Sequence, residues 1–209
     1  MVESKHPNDP TTPPHPKWPR MTKEQINARP MGRYQGPIHV IRKSSQIAAA
    51  VEQLGRETIL GFDTETRPTF RSGQHYLPTL LQLAGREAVF LFQLKQCGFT
   101  PAIRRLLSNP EMIKAGVALD RDIKELKQLA TFKPAGFVDV AELAKKAGCQ
   151  NHGLRNLAAL LLGFRISKSA QISNWAQTCL TQAQIDYAAT DAWVGRELYL
   201  KLQTMENQG

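Results

Sequence analysis

The chain has few cysteines and no long apolar run. Its 209 residues include only Cys97, Cys149 and Cys179, an odd number without a Cys-x-x-Cys spacing. This pattern argues against a disulfide framework or a cysteine zinc site, and it is typical of the reducing cytosol. The chain also lacks the apolar core of a signal peptide and any run that could cross a membrane. We therefore expect a cytoplasmic protein with no membrane partner.

Acidic residues are scarcer than basic ones. The chain has 18 Asp and Glu against 27 Lys and Arg, for a formal net charge of +9. A basic surface favours polyanions, because it neutralises phosphates and releases their counterions. The basic residues are spread along the chain, and no single run marks a groove. The charge alone therefore does not distinguish a nucleic-acid-binding protein from a basic protein that binds no nucleic acid.

The first 36 residues differ in composition from the rest. Residues 1–36 contain seven of the 13 prolines and few aliphatic residues. Because such a segment buries too little apolar surface to fold alone, it predicts a flexible N-terminal arm. The arm is either a docking segment for a partner or a solvated leader. Residues 37–204 are long enough for one complete core, and residues 205–209 are a short tail.

The first acidic segment follows an apolar run. Residues 59–65, ILGFDTE, predict a strand buried in a sheet. Since side chains alternate along a strand, Asp63 and Glu65 project from the same side. Two carboxylates at this spacing are good ligands for a hard cation. An ordinary polar strand end before Pro68 is the alternative.

The second acidic segment joins a strand to a helix. Residues 113–119 predict another apolar strand, and the spacing of the apolar residues after it is helical. Asp120 and Asp122 therefore lie where the helix starts. Asp is favoured at the N-cap and in the first helical turn, so the spacing does not decide which of the two faces a site.

The third acidic segment lies on a long helix. Thr181 and Gln184 form a capping-box pattern that opens this helix. Tyr187 and Asp191 are four residues apart, so they share one helical face. Together they can supply a metal ligand and a group that orients water. A core tyrosine beside an exposed Asp is the alternative.

The remaining pattern predicts an α/β protein. Early hairpins followed by strand–helix units imply a mixed β-sheet flanked by helices, in a single domain. Asp139 is expected to cap a helix, and Trp175 is expected to lie in the core.

Five blocks together resemble the DEDDy branch of the 3′–5′ exonucleases, within the ribonuclease H-like superfamily. The likeness covers roughly residues 37–204. The blocks are FDTET at 62–66, LPTLLQLA at 77–84, GVALDRD at 116–122, K-S-x-Q-x-S-N-W at 168–175 and YAATDA at 187–192. Relatives by this likeness include the exonuclease domain of the Werner syndrome protein and the catalytic domain of ribonuclease D.

The resemblance implies a set of site residues. It selects Asp122 over Asp120 as the fourth metal ligand beside Asp63, Glu65 and Asp191. By this likeness two divalent ions, Mg²⁺ or Mn²⁺, bind the four carboxylates. Asp63 is implied to be shared by both ions, Glu65 and Asp191 to complete the water-activating site, and Asp122 to serve the leaving-group ion. Tyr187 is implied to orient the attacking water.

The function expected from this likeness is removal of nucleoside 5′-monophosphates from nucleic-acid 3′ ends. The expected partner is single-stranded nucleic acid or the 3′ end of DNA or RNA, with Thr64, Thr66 and Lys168 as substrate contacts. The choice between DNA and RNA stays open, as do the choice of ion and the oligomeric state. Two alternatives are a structure-specific ribonuclease H-like nuclease and a non-catalytic nucleic-acid-binding module.

Overall fold

The computed structural model describes residue 18, residues 20–69 and residues 74–206. Six strands form one sheet: β1 Ile38–Ile41, β2 Ile59–Thr66, β3 Pro78–Ala84, β4 Val89–Gln93, β5 Ile113–Gly116 and β6 Phe137–Asp139. The α-helices are α1 Lys23–Asn27, α2 Ile47–Leu54, α3 Leu94–Cys97, α4 Pro101–Leu107, α5 Asp120–Leu129, α6 Val140–Lys146, α7 Leu154–Leu157 and α8 Gln182–Glu206. A 3₁₀ turn, Ser44–Gln46, precedes α2, and a π turn, Ala158–Leu162, continues α7.

The sheet is mixed, with strand order β1-β4-β3-β2-β5-β6. The central strands β2, β3 and β4 pair antiparallel with their neighbours in chain order. The outer pairs β1–β4, β2–β5 and β5–β6 are parallel, and each is reached through a crossover connection. The predicted fold class, a mixed sheet flanked by helices in one α/β domain, is confirmed.

Helices cover both faces of this sheet. Leu60 and Phe62 of β2 pack in a core shared with α2, α4 and α5. Leu80 and Ala84 of β3 point to the other face, where they pack against α8. Because neighbouring side chains on a strand alternate, each central strand contributes to both cores. None of the described helices combines the length and the apolarity that crossing a bilayer requires.

The strand before Asp122 is shorter than predicted. The apolar run from residue 113 predicts a strand to residue 119, whereas β5 ends at Gly116. Ala118 has a φ of +60°, which lies in the left-handed region and ends the extended conformation. Helix α5 begins two residues later, so the turn directs its first residues toward the end of β2.

A segment before the sheet is packed on the domain. We call residues 20–34 the N-terminal strap. Its helix α1 begins with a capping box between Thr22 and Gln25, and Ile26 is buried. This packing differs from the flexible arm expected for the segment, because Ile26 and the strap backbone find partners on the domain that composition does not reveal. Residues 1–17 and 19 of the predicted arm lie outside the described residues, and so do residues 207–209 of the predicted tail.

Candidate active site

Asp63 and Glu65 lie on β2 and face α8. Strand alternation places them on the same side as Gly61, as predicted. A Cβ at Gly61 would lie only 1.8 Å from the carbonyl oxygen of Ala192, so α8 crosses β2 at a distance that glycine alone permits. This close crossing brings Asp191 over the two β2 carboxylates.

Helix α8 carries Tyr187 and Asp191 to the same place. The predicted capping box precedes it: the Thr181 amide donates to Gln184 Oε1 at 3.0 Å, and the Gln184 amide donates to Thr181 Oγ1 at 3.3 Å. One turn separates Tyr187 from Asp191, so both face β2. One carboxylate oxygen each from Asp63, Glu65 and Asp191 lies within 4.8 Å of the other two. We call these three residues the carboxylate cluster.

Asp122 reaches β2 from the opposite face. It lies in the first turn of α5, and its Oδ1 accepts a hydrogen bond from the hydroxyl of Thr64. The backbone amide of Thr64 donates to Asp63 Oδ1 at 2.9 Å. Thr64 therefore links Asp122 to Asp63 through two hydrogen bonds. Asp120, two residues earlier, is exposed, so the structure brings Asp122 and not Asp120 toward the cluster.

The cluster is electrostatically strained without a counter-charge. Burial raises the pKa of Asp63 well above its usual range, and the nearby charges of Asp191 and Asp122 raise it further. Burial and then the Asp63 carboxylate raise the pKa of Glu65 to about 10. Burial likewise raises the pKa of Asp191 to about 7, against a hydrogen bond from Tyr187. Burial also raises the pKa of Asp122.

These carboxylates fit a divalent cation. Asp191 is only 8% exposed. Its Oδ1 atom is buried and has no hydrogen-bond partner among the described residues. Buried polar atoms normally have partners, so an orphaned carboxylate oxygen at a convergence of three carboxylates calls for a cation. Oxygen ligands of this kind suit Mg²⁺ and Mn²⁺. The cluster opens onto a cleft of about 250 Å³, also lined by Gly116, Leu154 and Gln171.

Tyr187 lies beside the cluster, one helical turn before Asp191. Burial, followed by the charges of Asp191 and Glu65, raises the pKa of the phenol, so the hydroxyl keeps its proton. Its ring packs against Trp175, with centroids 5.9 Å apart. Trp175 is 1% exposed, which confirms its predicted place in the core. The phenol can therefore orient a neighbouring oxygen atom but not remove a proton from it.

The three predicted substrate contacts lie in different surroundings. Thr64 is buried, and its hydroxyl is used by Asp122. Thr66, the last residue of β2, is half-buried beside a shift in the pairing with β3. Lys168 is exposed and lines a cleft that also contains Arg155, Tyr187 and Asp191.

Asp139 caps α6 by accepting from the Ala141 amide at 2.8 Å, as expected, and does not join the cluster.

Sequence reasoning missed two features of this site. The first is the linking role of Thr64, for which its place between two acidic residues was the only signal. The second is the N-terminal strap, which lies beside Tyr187 and Asp191 in a third cleft. Nothing in the Pro-rich composition of that region indicates such a position.

The comparisons with known proteins agree with this geometry. A sequence model described as "3′–5′ exonuclease" matches residues 38–206. Ribonuclease D of Gluconacetobacter diazotrophicus is 33% identical over 175 residues, which cover 81% of this chain and 44% of that protein. The mouse bifunctional 3′–5′ exonuclease/ATP-dependent helicase WRN is 33% identical over 150 residues, which cover 69% of this chain and 11% of that protein. The chain thus spans less than half the length of either relative.

Solved structures share the fold. The Nibbler EXO domain of Aedes aegypti superposes with a TM-score of 0.77 at 23% identity, covering 85% of this chain and 93% of that one. Ribonuclease D of Trypanosoma brucei in complex with RNA U12 superposes with a TM-score of 0.71 at 21% identity, covering 86% and 64%. At these identities the likeness concerns the fold. The sequence match over residues 38–206 and the carboxylate cluster together mean that the chain belongs to the 3′–5′ exonuclease family.

Proposed function

We propose that this chain is a metal-dependent 3′–5′ exonuclease that hydrolyses phosphodiester bonds at nucleic-acid 3′ ends and releases nucleoside 5′-monophosphates. One observation carries the proposal: Asp63, Glu65 and Asp191 converge within 4.8 Å in a chain of this family. The link from Thr64 to Asp122 adds a fourth carboxylate from the far side of β2. Such a set of oxygen ligands has the composition that hydrolytic sites with two divalent ions use.

Each carboxylate has a place in this proposal. Two divalent ions, when bound, supply an activated water and stabilise the leaving 3′-oxygen. Asp63, at the centre of the cluster, would be shared between the ions, and Glu65 and Asp191 would complete one of the two sites. Asp122 would serve the other. Thr64 would hold Asp63 and Asp122 in register, as a positioning residue, through its amide and its hydroxyl.

Tyr187 would act as a neutral hydrogen-bonding group. Its raised pKa keeps it protonated, so it would orient the attacking water and not serve as the base. This role corresponds to the tyrosine-containing branch of the family, to which we assign the chain. The Tyr187 ring packs against Trp175, which fixes the ring relative to the cluster.

The proposed substrate is single-stranded nucleic acid with a free 3′ end. The net charge of +9 and the ribonuclease D relative support it, and a ribonuclease D of similar fold has been solved with RNA. Lys168 and Thr66 are the proposed contacts at the cleft. We also propose a cytoplasmic location, supported by the free thiols of Cys97, Cys149 and Cys179.

The test uses purified protein and 5′-labelled single-stranded DNA and RNA of the same sequence. Each is incubated with Mg²⁺ or Mn²⁺, and with EDTA. The isosteric pair Asp122→Asn and Asp120→Asn provides the matched comparison, since the two residues share one helical turn. We expect a ladder that shortens from the 3′ end in metal, with mononucleotide products.

We expect EDTA and Asp122→Asn to abolish the ladder and Asp120→Asn to keep it, and the better substrate identifies the preferred sugar. Binding without cleavage in either metal would replace the enzyme with a nucleic-acid-binding module. Internal cuts would favour a structure-specific nuclease.

A further inference from the structure

The N-terminal strap lies outside the part of the chain that defines the family. The family match begins at residue 38, and the strap ends at residue 34. Yet the second half of the strap borders the proposed active site. At the middle of the strap, Asn27 Oδ1 accepts a hydrogen bond from Arg155 Nη2 at 2.7 Å, and Arg155 lines the cleft that contains Lys168 and Tyr187.

The strap is held in place on both sides of residues 31–33. Before them, Arg165 donates its amide to the Pro30 carbonyl at 2.9 Å. Within them, the Gly32 amide donates to the Arg165 carbonyl at 2.8 Å. After them, the Tyr34 amide donates to Thr190 Oγ1 of α8 at 3.1 Å. The backbone passes so close to Phe164 that a Cβ at Gly32 would lie 2.2 Å from the ring. Residues 31–33 are therefore positioned before any ligand arrives.

This fixed segment forms one wall of a cleft beside Asp191. Met31, Gly32 and Arg33 line a cleft of about 280 Å³ together with Tyr187 and Asp191. Ser167 and Ser169, which flank Lys168, line the same cleft. Their hydroxyl oxygens lie 2.8 Å apart. A guanidinium and two hydroxyls bordering one cleft are the groups that bind a phosphate.

Arg33 is available for such a contact. Its side chain is 62% exposed, and Nη1 lies 3.2 Å from Asp186 Oδ2. An ion pair of this kind on the surface is weak, so exchanging Asp186 for a phosphate costs little. Met31 beside it is 53% exposed, which leaves an apolar surface for a sugar or base.

We propose that the strap is part of the substrate site and that Arg33, with Ser167 and Ser169, binds a backbone phosphate of the single-stranded nucleic acid near its 3′ end. This inference rests on the proposed exonuclease function. It assigns to this chain a substrate contact from outside the matched family region. Asp186 opposes the contact, because its carboxylate competes with the phosphate for Arg33.

The test measures binding and turnover separately in the full chain. The dissociation constant for a 5′-fluorescein single-stranded oligonucleotide is measured by anisotropy in EDTA across a salt series, and kcat and KM are measured in metal. For Arg33→Ala we expect about a tenfold weaker complex, equivalent to about 1.4 kcal/mol, and a loss of about 0.7 in the salt slope, the value of one single-strand phosphate. KM rises while kcat changes little. Arg33→Lys keeps most of the slope, because it keeps the charge.

Two further variants separate substrate binding from a purely structural ion pair. Asp186→Asn removes the competitor, so it should bind the oligonucleotide at least as tightly as the wild type. A structural ion pair instead predicts that Arg33→Ala and Asp186→Asn weaken binding equally and lower the melting temperature together. Arg56→Ala is the matched control, since Arg56 pairs with Glu52 on α2 at 2.7 Å, on the other face of the sheet. It should leave the dissociation constant within twofold.

The outcomes also separate this inference from the proposed function. The strap contact alone is overturned if the wild type cleaves the oligonucleotide and Arg33→Ala leaves KM, the dissociation constant and the salt slope unchanged. A wild-type chain that neither binds nor cleaves the oligonucleotide overturns both.

Discussion

Replacing Asp191 by asparagine should stabilise the metal-free protein at neutral and alkaline pH. Burial raises the pKa of Asp191 from 3.8 to about 7, so the folded protein resists ionising this group, whereas the unfolded chain does not. The folded state thus binds an extra proton between these two values, and its stability falls as the pH rises through them. Asparagine keeps the shape of the side chain and cannot ionise.

The size of the stability difference follows from the part of the interval between the two pKa values, 3.8 and about 7, that lies within the assayed pH range. Between pH 5 and pH 7 the unfolded chain has already lost the Asp191 proton and the folded chain has not. Each pH unit in that interval costs about 1.4 kcal/mol, so the wild type loses about 3 kcal/mol relative to Asp191→Asn between pH 5 and pH 8. For a chain of this size, each kcal/mol moves the melting temperature by roughly 2–4 °C. The gap between the two melting curves should therefore widen by roughly 6–12 °C.

The assay is thermal or urea unfolding in EDTA at pH 5 and pH 8, repeated with Mg²⁺ or Mn²⁺. Added metal should raise the wild-type melting temperature at pH 8 more than that of Asp191→Asn, because the ion binds the ionised folded state. Asp120→Asn, at an exposed position, controls for the loss of one negative charge. A constant gap between wild type and Asp191→Asn across pH would refute the argument that burial of this carboxyl destabilises the fold.

Three further predictions concern the residues that position the site. Thr64→Val removes the hydroxyl that donates to Asp122 and should reduce kcat/KM by about 10–100-fold, as for other groups that orient metal ligands. Thr64→Ser keeps a hydroxyl and should keep most of the wild-type kcat/KM, so equal activity of the valine and serine variants would contradict the link. Gly61→Ala places a methyl group 1.8 Å from the Ala192 carbonyl oxygen, so it should displace α8, lower the melting temperature and abolish cleavage. A crystal structure of the variant with α8 in its original position would disprove the expected displacement. Ala118→Gly relieves a left-handed φ of +60° and should raise the unfolding free energy by about 1 kcal/mol in a denaturant titration, whereas a loss of stability would argue against strain at this turn.

Local patterns predicted much of the fold and most of the cluster. The period of two in β2 predicted that Asp63 and Glu65 share a face, and the period near four in α8 predicted the same of Tyr187 and Asp191. The capping box at Thr181 is also local, and the structure contains it. These features depend on backbone geometry within one segment, so they can be inferred without knowing what packs against it.

Features that depend on distant segments could not be inferred in this way. The expected strand through residue 119 was wrong beyond Gly116, because Ala118 adopts a left-handed conformation that the apolar pattern does not reveal. The sequence spacing did not decide whether Asp120 or Asp122 faces the site, and in the fold the hydrogen bond from Thr64 distinguishes Asp122. The described part of the Pro-rich arm is packed, because Ile26 is buried and the backbone at Gly32 bonds to Arg165, more than 100 residues away.

The sequence by itself determined the residue types of the site, the helical and strand faces that present them and the family to which the chain belongs. The tertiary structure alone decided that α8 crosses β2 at Gly61, that Thr64 joins Asp63 to Asp122 and that the strap borders the cleft. The physical reason is the range of the interactions. Periodicity and capping act within a few residues, whereas a carboxylate cluster forms only when packing of the whole sheet and its helices overcomes the cost of bringing like charges together.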